Sequence, residues 1–180
     1  MKIDSIFAND TLFAVRYQDD GENELKRLLD LWSNPTEVYN YVKENGGDLL
    51  INHSIAKLSK MIREEVEYID DILNKLKDNP AENLNNFFIP LNSGDSEFLP
   101  LGKKKGKKNG FTFLRLYAIK IADNCYLVTG GAIKLTARMG GSDDTERALG
   151  RLDIVRTDLY RFGVKGEKDF FEFIKFQNEE

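Results

Sequence analysis

Ile55, Leu58, Ile62, Val66, Ile69, Leu73 and Leu76 stand 3, 4, 4, 3, 4 and 3 residues apart. An α-helix turns that rhythm into one continuous apolar stripe, whereas a strand, which alternates its side chains every second residue, cannot use it. Running to Asp78-Asn79-Pro80, such a helix spans roughly 35 Å at about 1.5 Å per residue, enough to cross one face of a domain this size. Its other side carries Lys57, Lys60, Arg63, Glu64, Glu67, Asp71 and Lys75. The stripe must therefore meet a sheet, a neighbouring helix or a coiled-coil partner.

The elements before it are shorter. Thr11 to Tyr17 is rich in aromatic and β-branched residues and runs into the turn sequence Gln18-Asp19-Asp20-Gly21, which predicts a strand. Leu25, Leu28, Leu29 and Trp32 then share one face of a helix over about 22–32, and Asn34-Pro35-Thr36-Glu37 caps and restarts a second helix that Gly46-Gly47 ends. After Pro80 the texture changes to strands and turns. Gly102 to Gly110 reads as an open basic loop, Phe111 to Ile121 as a long strand, and Asp123-Asn124 as a tight turn into a partner strand over Cys125 to Thr129. Gly130-Gly131 allows a bulge before Ala132 to Thr136. Ser142 can cap a helix whose first turn holds Asp143, Asp144 and Glu146, and Glu167 to Phe176 reads as a terminal aromatic helix.

At 180 residues the chain predicts one domain over 1–180 with a core large enough to need no disulfide or metal. Within it, 1–80 holds the first strand and an extended helical N-terminal half, 81–138 an antiparallel sheet, and 142–180 the C-terminal helices. The expected class is α+β, a small antiparallel sheet packed by helices on one face. Cys125 is the lone cysteine and His53 the lone histidine, so neither an intramolecular disulfide, a cysteine zinc cluster nor a two-histidine motif can form, and no cofactor or metal is expected. Met1-Lys2-Ile3-Asp4 brings an acid early and no long apolar run follows; the expectation is a cytoplasmic protein with no signal peptide and no membrane span.

Charge is unevenly spread. Residues 1–100 hold ten Lys and Arg against nineteen Asp and Glu, whereas 101–151 hold eleven against four. A basic third in an acidic chain suits a local polyanion contact, since counterion release depends on local phosphate contacts. If the strand Phe111 to Ile121 turns Leu114, Leu116 and Ala118 to the core, Arg115 and Tyr117 share the opposite, open face about 7 Å apart. Lys134, Thr136 and Arg138 alternate beside them. Such a cluster could hold RNA phosphate and serve metal-free cleavage, in which a ribose 2′-hydroxyl attacks its own phosphate and needs charge stabilisation and proton transfer. Arg115 and Lys134 would neutralise charge, with Tyr117 at the base or 2′-hydroxyl; the plain alternative is a solvated strand face. Lys103, Lys104, Lys105, Lys107 and Lys108 would add affinity without sequence preference, or serve only as a solubilising loop.

Leu114-Arg115-Leu116-Tyr117-Ala118-Ile119-Lys120-Ile121, then Tyr126 to Thr136 with its Lys134-Leu135-Thr136, then Asp143 to Arg151 with an acidic start and Ala148-x-x-Arg151, resemble in that order the late region of the RelE/HigB-like toxins of bacterial type II toxin–antitoxin systems. The resemblance covers Phe111 to Arg151; before that it lies in element order alone. It implies a RelE-like fold, ribosome-associated mRNA cleavage or related growth inhibition, and neutralisation by a cognate antitoxin. It carries the family's strand arginine to Arg115 and its lysine to Lys134, with Tyr117, Arg138 and the lysines following by position. The chain departs from the family in its length and acidity, and no terminal catalytic tyrosine or histidine can be placed. The ParE-like gyrase inhibitors share the fold, so a non-catalytic inhibitor or protein-interaction module on the same scaffold is the alternative.

Overall fold

The long stripe is buried inside its own chain. In the computed structural model, which describes residues 1–19, 21–79, 83–92, 101–106, 113–135 and 143–179, the stripe forms helix α4, Ile55–Asp78. Ser54 accepts from the Lys57 amide at its start, and Leu58, Ile62, Val66, Ile69, Leu73 and Leu76 are buried. Beside it lie α1 (Glu24–Ser33), α2 (Pro35–Asn45) and the single turn α3 (Leu49–Asn52). Asn34 ends α1 and caps α2, its side chain accepting from the amides of Thr36 and Glu37 at 3.0 and 3.2 Å. Its own amide donates to Leu31, so the return bond of a capping box is replaced by a link between the helices.

The strands are β1 (Lys2–Ser5), β2 (Leu12–Arg16), β3 (Phe88–Pro90), β4 (Lys103–Gly106), β5 (Leu114–Ala122) and β6 (Cys125–Ile133), ordered β1-β2-β6-β5-β4-β3 in one sheet. This arrangement departs from the sequence expectation in three ways. The helical N-terminal half is not borne out, because two strands come first and β1 pairs antiparallel with β2. The sheet is mixed rather than antiparallel, since β2 runs parallel to β6 through Leu12↔Tyr126 to Ala14↔Val128. Lys103 to Gly106 form no open loop: β4 is an interior strand between β3 and β5.

The largest correction concerns the faces. Leu12, Ala14, Leu114, Leu116, Ala118 and Val128 pack under α1, α2 and α4. Phe13, Val15, Tyr117, Ile119, Ile121 and Leu127 pack under α5 (Asp143–Arg161) and α6 (Glu167–Glu179). Helices thus cover both faces, and alternate residues of the central strands enter different cores. Phe13 sits edge-on to Phe170 and Phe171, with centroids 5.2 and 6.0 Å apart, which anchors α6.

The pairing of β5 with β6 is interrupted by a bulge. Tyr117 opposes Gly130 but Ala118 opposes Val128, leaving Thr129 as an extra residue in β6. Before this bulge the even-numbered Tyr126 and Val128 face α4; after it Ile133 and Leu135 do, and Ala132 turns to the α5 face. The bulge thereby reverses the phase of the rest of the strand.

Cys125 lies 4% exposed at the start of β6. Burial pushes its thiol up to about 12, helped by the charges of Glu167 and Asp10. A group whose folded value is raised contributes stability that is intact below the unfolded value near 8.5–9 and is lost as pH climbs through the folded one. Urea denaturation repeated from pH 8 to pH 11.5 is therefore expected to show stability falling above about pH 9, with a shallower fall in Cys125→Ala; an unchanged slope in that variant would refute the assignment to the thiol. Burial raises the phenols of Tyr17 and Tyr117 in the same direction.

Candidate functional site

The bulge settles where the predicted cations lie. Arg115 opposes Ala132 across β5 and β6, and the Lys134 amide donates to the Phe113 carbonyl at 2.7 Å, so the ladder continues to Lys134. With the phase reversed at Thr129, Lys134 stands between Ile133 and Leu135, which both pack on the α4 side, so strand alternation turns it to the other side, that of Ala132 and Arg115. Both side chains are half-buried. The Arg115 guanidinium donates to the Leu114 carbonyl at 2.8 Å, and among the described residues neither cation meets a carboxylate. Among the described residues these two cations are left without a carboxylate at the outer end of the β5–β6 hairpin.

Tyr117 lies on the same face, near enough for the Arg115 charge to act on its phenol, but it is covered. It is 4% exposed, packs with Ala148 and Leu152 of α5, and its phenol is hydrogen-bonded with Thr145 at the start of that helix. The expected open face is absent because α5 lies on it, and a phenol sealed there reaches neither a base nor a 2′-hydroxyl. The lysines also part company. Lys103 forms an ion pair with Asp153 of α5 at 3.0 Å, Lys104 is 2% exposed and engaged within the protein, and Lys105 is half-buried opposite Tyr117. Lys107, Lys108 and Arg138 lie outside the described residues. Among the described residues no group of three or more His, Cys, Asp or Glu is gathered to hold a metal ion, and no helix is long and apolar enough to cross a membrane.

The structure adds a cleft that residue patterns did not disclose. β2 stops pairing at Ala14↔Val128, so among the described residues the second half of β6 has no strand neighbour on that side, and a cleft of about 920 Å³ opens there between α1, α2 and the start of α5. Two tyrosines hold β6 carbonyls there: the Tyr17 hydroxyl donates to Thr129 at 2.5 Å and the Tyr41 hydroxyl to Ile133 at 3.0 Å. At the cleft wall Glu24, 3% exposed, accepts from Arg27 at 2.8 and 2.7 Å and from Arg151 at 3.3 Å. The Arg151 guanidinium in turn lies over the Tyr17 ring, 5.3 Å from its centroid. Burial and the Glu24 charge hold the Tyr17 phenol well above its ordinary range, against the smaller opposite pull of the two arginines. It stays a neutral donor at any physiological pH.

Glu24 and Arg27 lie off the Leu25-Leu28-Leu29-Trp32 stripe, where no sequence pattern singles them out; of the cleft's charged trio only Arg151 falls in a pattern, Ala148-x-x-Arg151. No protein-family model, curated protein or solved structure matches this chain, so the chemistry of the site rests on its own residues.

Proposed function

We propose that this chain is a growth-inhibiting toxin of the RelE/HigB kind, acting in the cytoplasm on RNA without metal or cofactor and held in check by a cognate antitoxin. The observation that carries the reading is the pair Arg115 and Lys134, brought to one face by the bulge at Thr129 and left without a carboxylate partner among the described residues. Two such cations can straddle a phosphodiester and stabilise the extra charge that appears when a 2′-hydroxyl attacks it. Protons would have to move through water or the RNA itself, since Tyr117 is tied to Thr145 under α5.

That burial favours a second reading, inhibition by binding alone, of the ParE-like kind. Induced expression with mapping of RNA 5′ ends separates the two. New 5′ ends on transcripts accompanying growth arrest are expected, and Arg115→Ala with Lys134→Ala should lower cleavage by about 10²-fold or more while circular dichroism stays unchanged, as loss of charge-stabilising donors does elsewhere. Arrest with intact transcripts would leave only the binding reading. Full cleavage by the double variant would remove these two residues from the site.

A further inference from the structure

The cleft beside β6 has a charge arrangement that the RNA reading leaves unused. Arg27 and Arg151 come from opposite faces of the sheet, on α1 and α5, and both reach the same oxygen of Glu24, at 2.7 and 3.3 Å. A buried carboxylate is satisfied by one bidentate guanidinium, which Arg27 supplies. The second brings like charges together and leaves the trio with one positive charge in excess. Their side chains are 44% and 51% exposed, so unused N–H donors of both open to the cleft, and stacking on Tyr17 fixes the plane of Arg151. A single-charged oxyanion seated opposite Glu24 would neutralise the trio.

The rest of the lining narrows the class. Glu37 and Glu44 of α2 and Asp143 at the start of α5 line the same cleft, and among the described residues none of the three forms an ion pair, while Asp144 is taken by Arg147. An RNA strand or any polyanion would be repelled by these acids. A ligand carrying both a carboxylate and an ammonium group matches both signs, and Leu28, Leu31 and Ile133 offer apolar wall between them. The volume lies in the range of small-ligand sites and exceeds what one free amino acid would fill.

We infer that this cleft binds a short zwitterionic peptide, its terminal carboxylate on Arg27 and Arg151 and its cationic group toward Glu37 and Glu44. Glu24 is a positioning residue that holds the two guanidiniums from behind. The site borders the strand residues that carry Arg115 and Lys134 but uses neither side chain: Ala132, Ile133 and Leu135 line it, while those two cations do not.

The test is nuclear magnetic resonance titration of the full chain with lysyl-leucine, lysyl-leucine amide, free lysine and inorganic phosphate. Lysyl-leucine is expected to give saturable shifts of the Arg27 and Arg151 side-chain N–H signals, and the amide, which lacks the carboxylate, to bind about tenfold more weakly or worse. Free lysine should bind more weakly than the dipeptide. Arg151→Ala should abolish the shifts and Arg151→Lys should restore them in part, with unchanged thermal midpoints showing that the fold is kept. Equal binding of acid and amide, tighter binding of phosphate than of the dipeptide, or no saturable shift with any probe would each overturn the inference.

Discussion

Glu65→Ala is expected to destabilise the protein by about 3–5 kcal/mol, because two buried backbone donors lose a charged acceptor at once. Glu65 projects from α4 and is 9% exposed. Its carboxylate accepts from the Phe113 amide at 3.0 and 3.2 Å and from the Leu114 amide at 2.9 Å. These amides open β5, where the strand has just entered the sheet under the long helix. Water cannot replace the carboxylate at a site this enclosed, so each amide would carry its desolvation cost unpaired. Glu65→Gln retains one oxygen at the same position. Since both amides already share Oε2, that variant should lose only the charge assistance, about 1–2 kcal/mol. Urea denaturation of the three proteins at neutral pH measures the series. Equal midpoints for Ala and wild type would show that the carboxylate does not hold the strand. Arg115 immediately follows Leu114, so the same contact also fixes the start of the proposed RNA site.

How much of the fold was legible in the sequence depends on how local each signal is. Asn34 with Pro35, the seven-residue rhythm of α4, and the turn at Asp123-Asn124 are short-range patterns whose physics is complete within a few residues. All three stand in the structure, with Asn124 in the left-handed region at φ 53°. Both-sided coverage of the sheet was not legible, because Arg115, Tyr117 and Lys120 interrupt β5 with polar groups that suggest a wetted face. In the fold Tyr117 hides its phenol on Thr145, and Lys120 is 9% exposed with its ammonium 5.9 Å from the Tyr126 ring centroid. Such groups enter a core once a partner from a distant element satisfies them. The parallel pairing of β2 with β6 and the meeting of Glu24, Arg27 and Arg151 join residues more than a hundred positions apart, which no local pattern encodes. Gly130-Gly131 did signal a bulge, but the extra residue is Thr129, and only the paired register reveals that it turns Lys134 toward Arg115.

That register makes Gly131 the least replaceable glycine described in the sheet. A Cβ there would stand 2.6 Å from the Arg115 carbonyl oxygen and 2.6 Å from Cη2 of Trp32. The first neighbour is backbone of the paired strand. The second belongs to a ring 2% exposed in the core under α1. Neither can withdraw without shifting an element, so Gly131→Ala is expected to cost about 3 kcal/mol, at the upper end for a small core overpacking. Because Trp32 and the pair Glu24 and Arg27 lie on the same helix, relief by moving α1 would also separate Arg27 from Arg151. Gly150 supplies the opposite case: it lies exposed within α5 with no atom within 4 Å of its ideal Cβ. Gly150→Ala should therefore raise stability by up to about 1 kcal/mol through helix propensity alone. Thermal denaturation of the two variants is expected to move the midpoint in opposite directions. A Gly131→Ala protein as stable as wild type would mean that α1 is not packed against β6 as closely as the cleft requires.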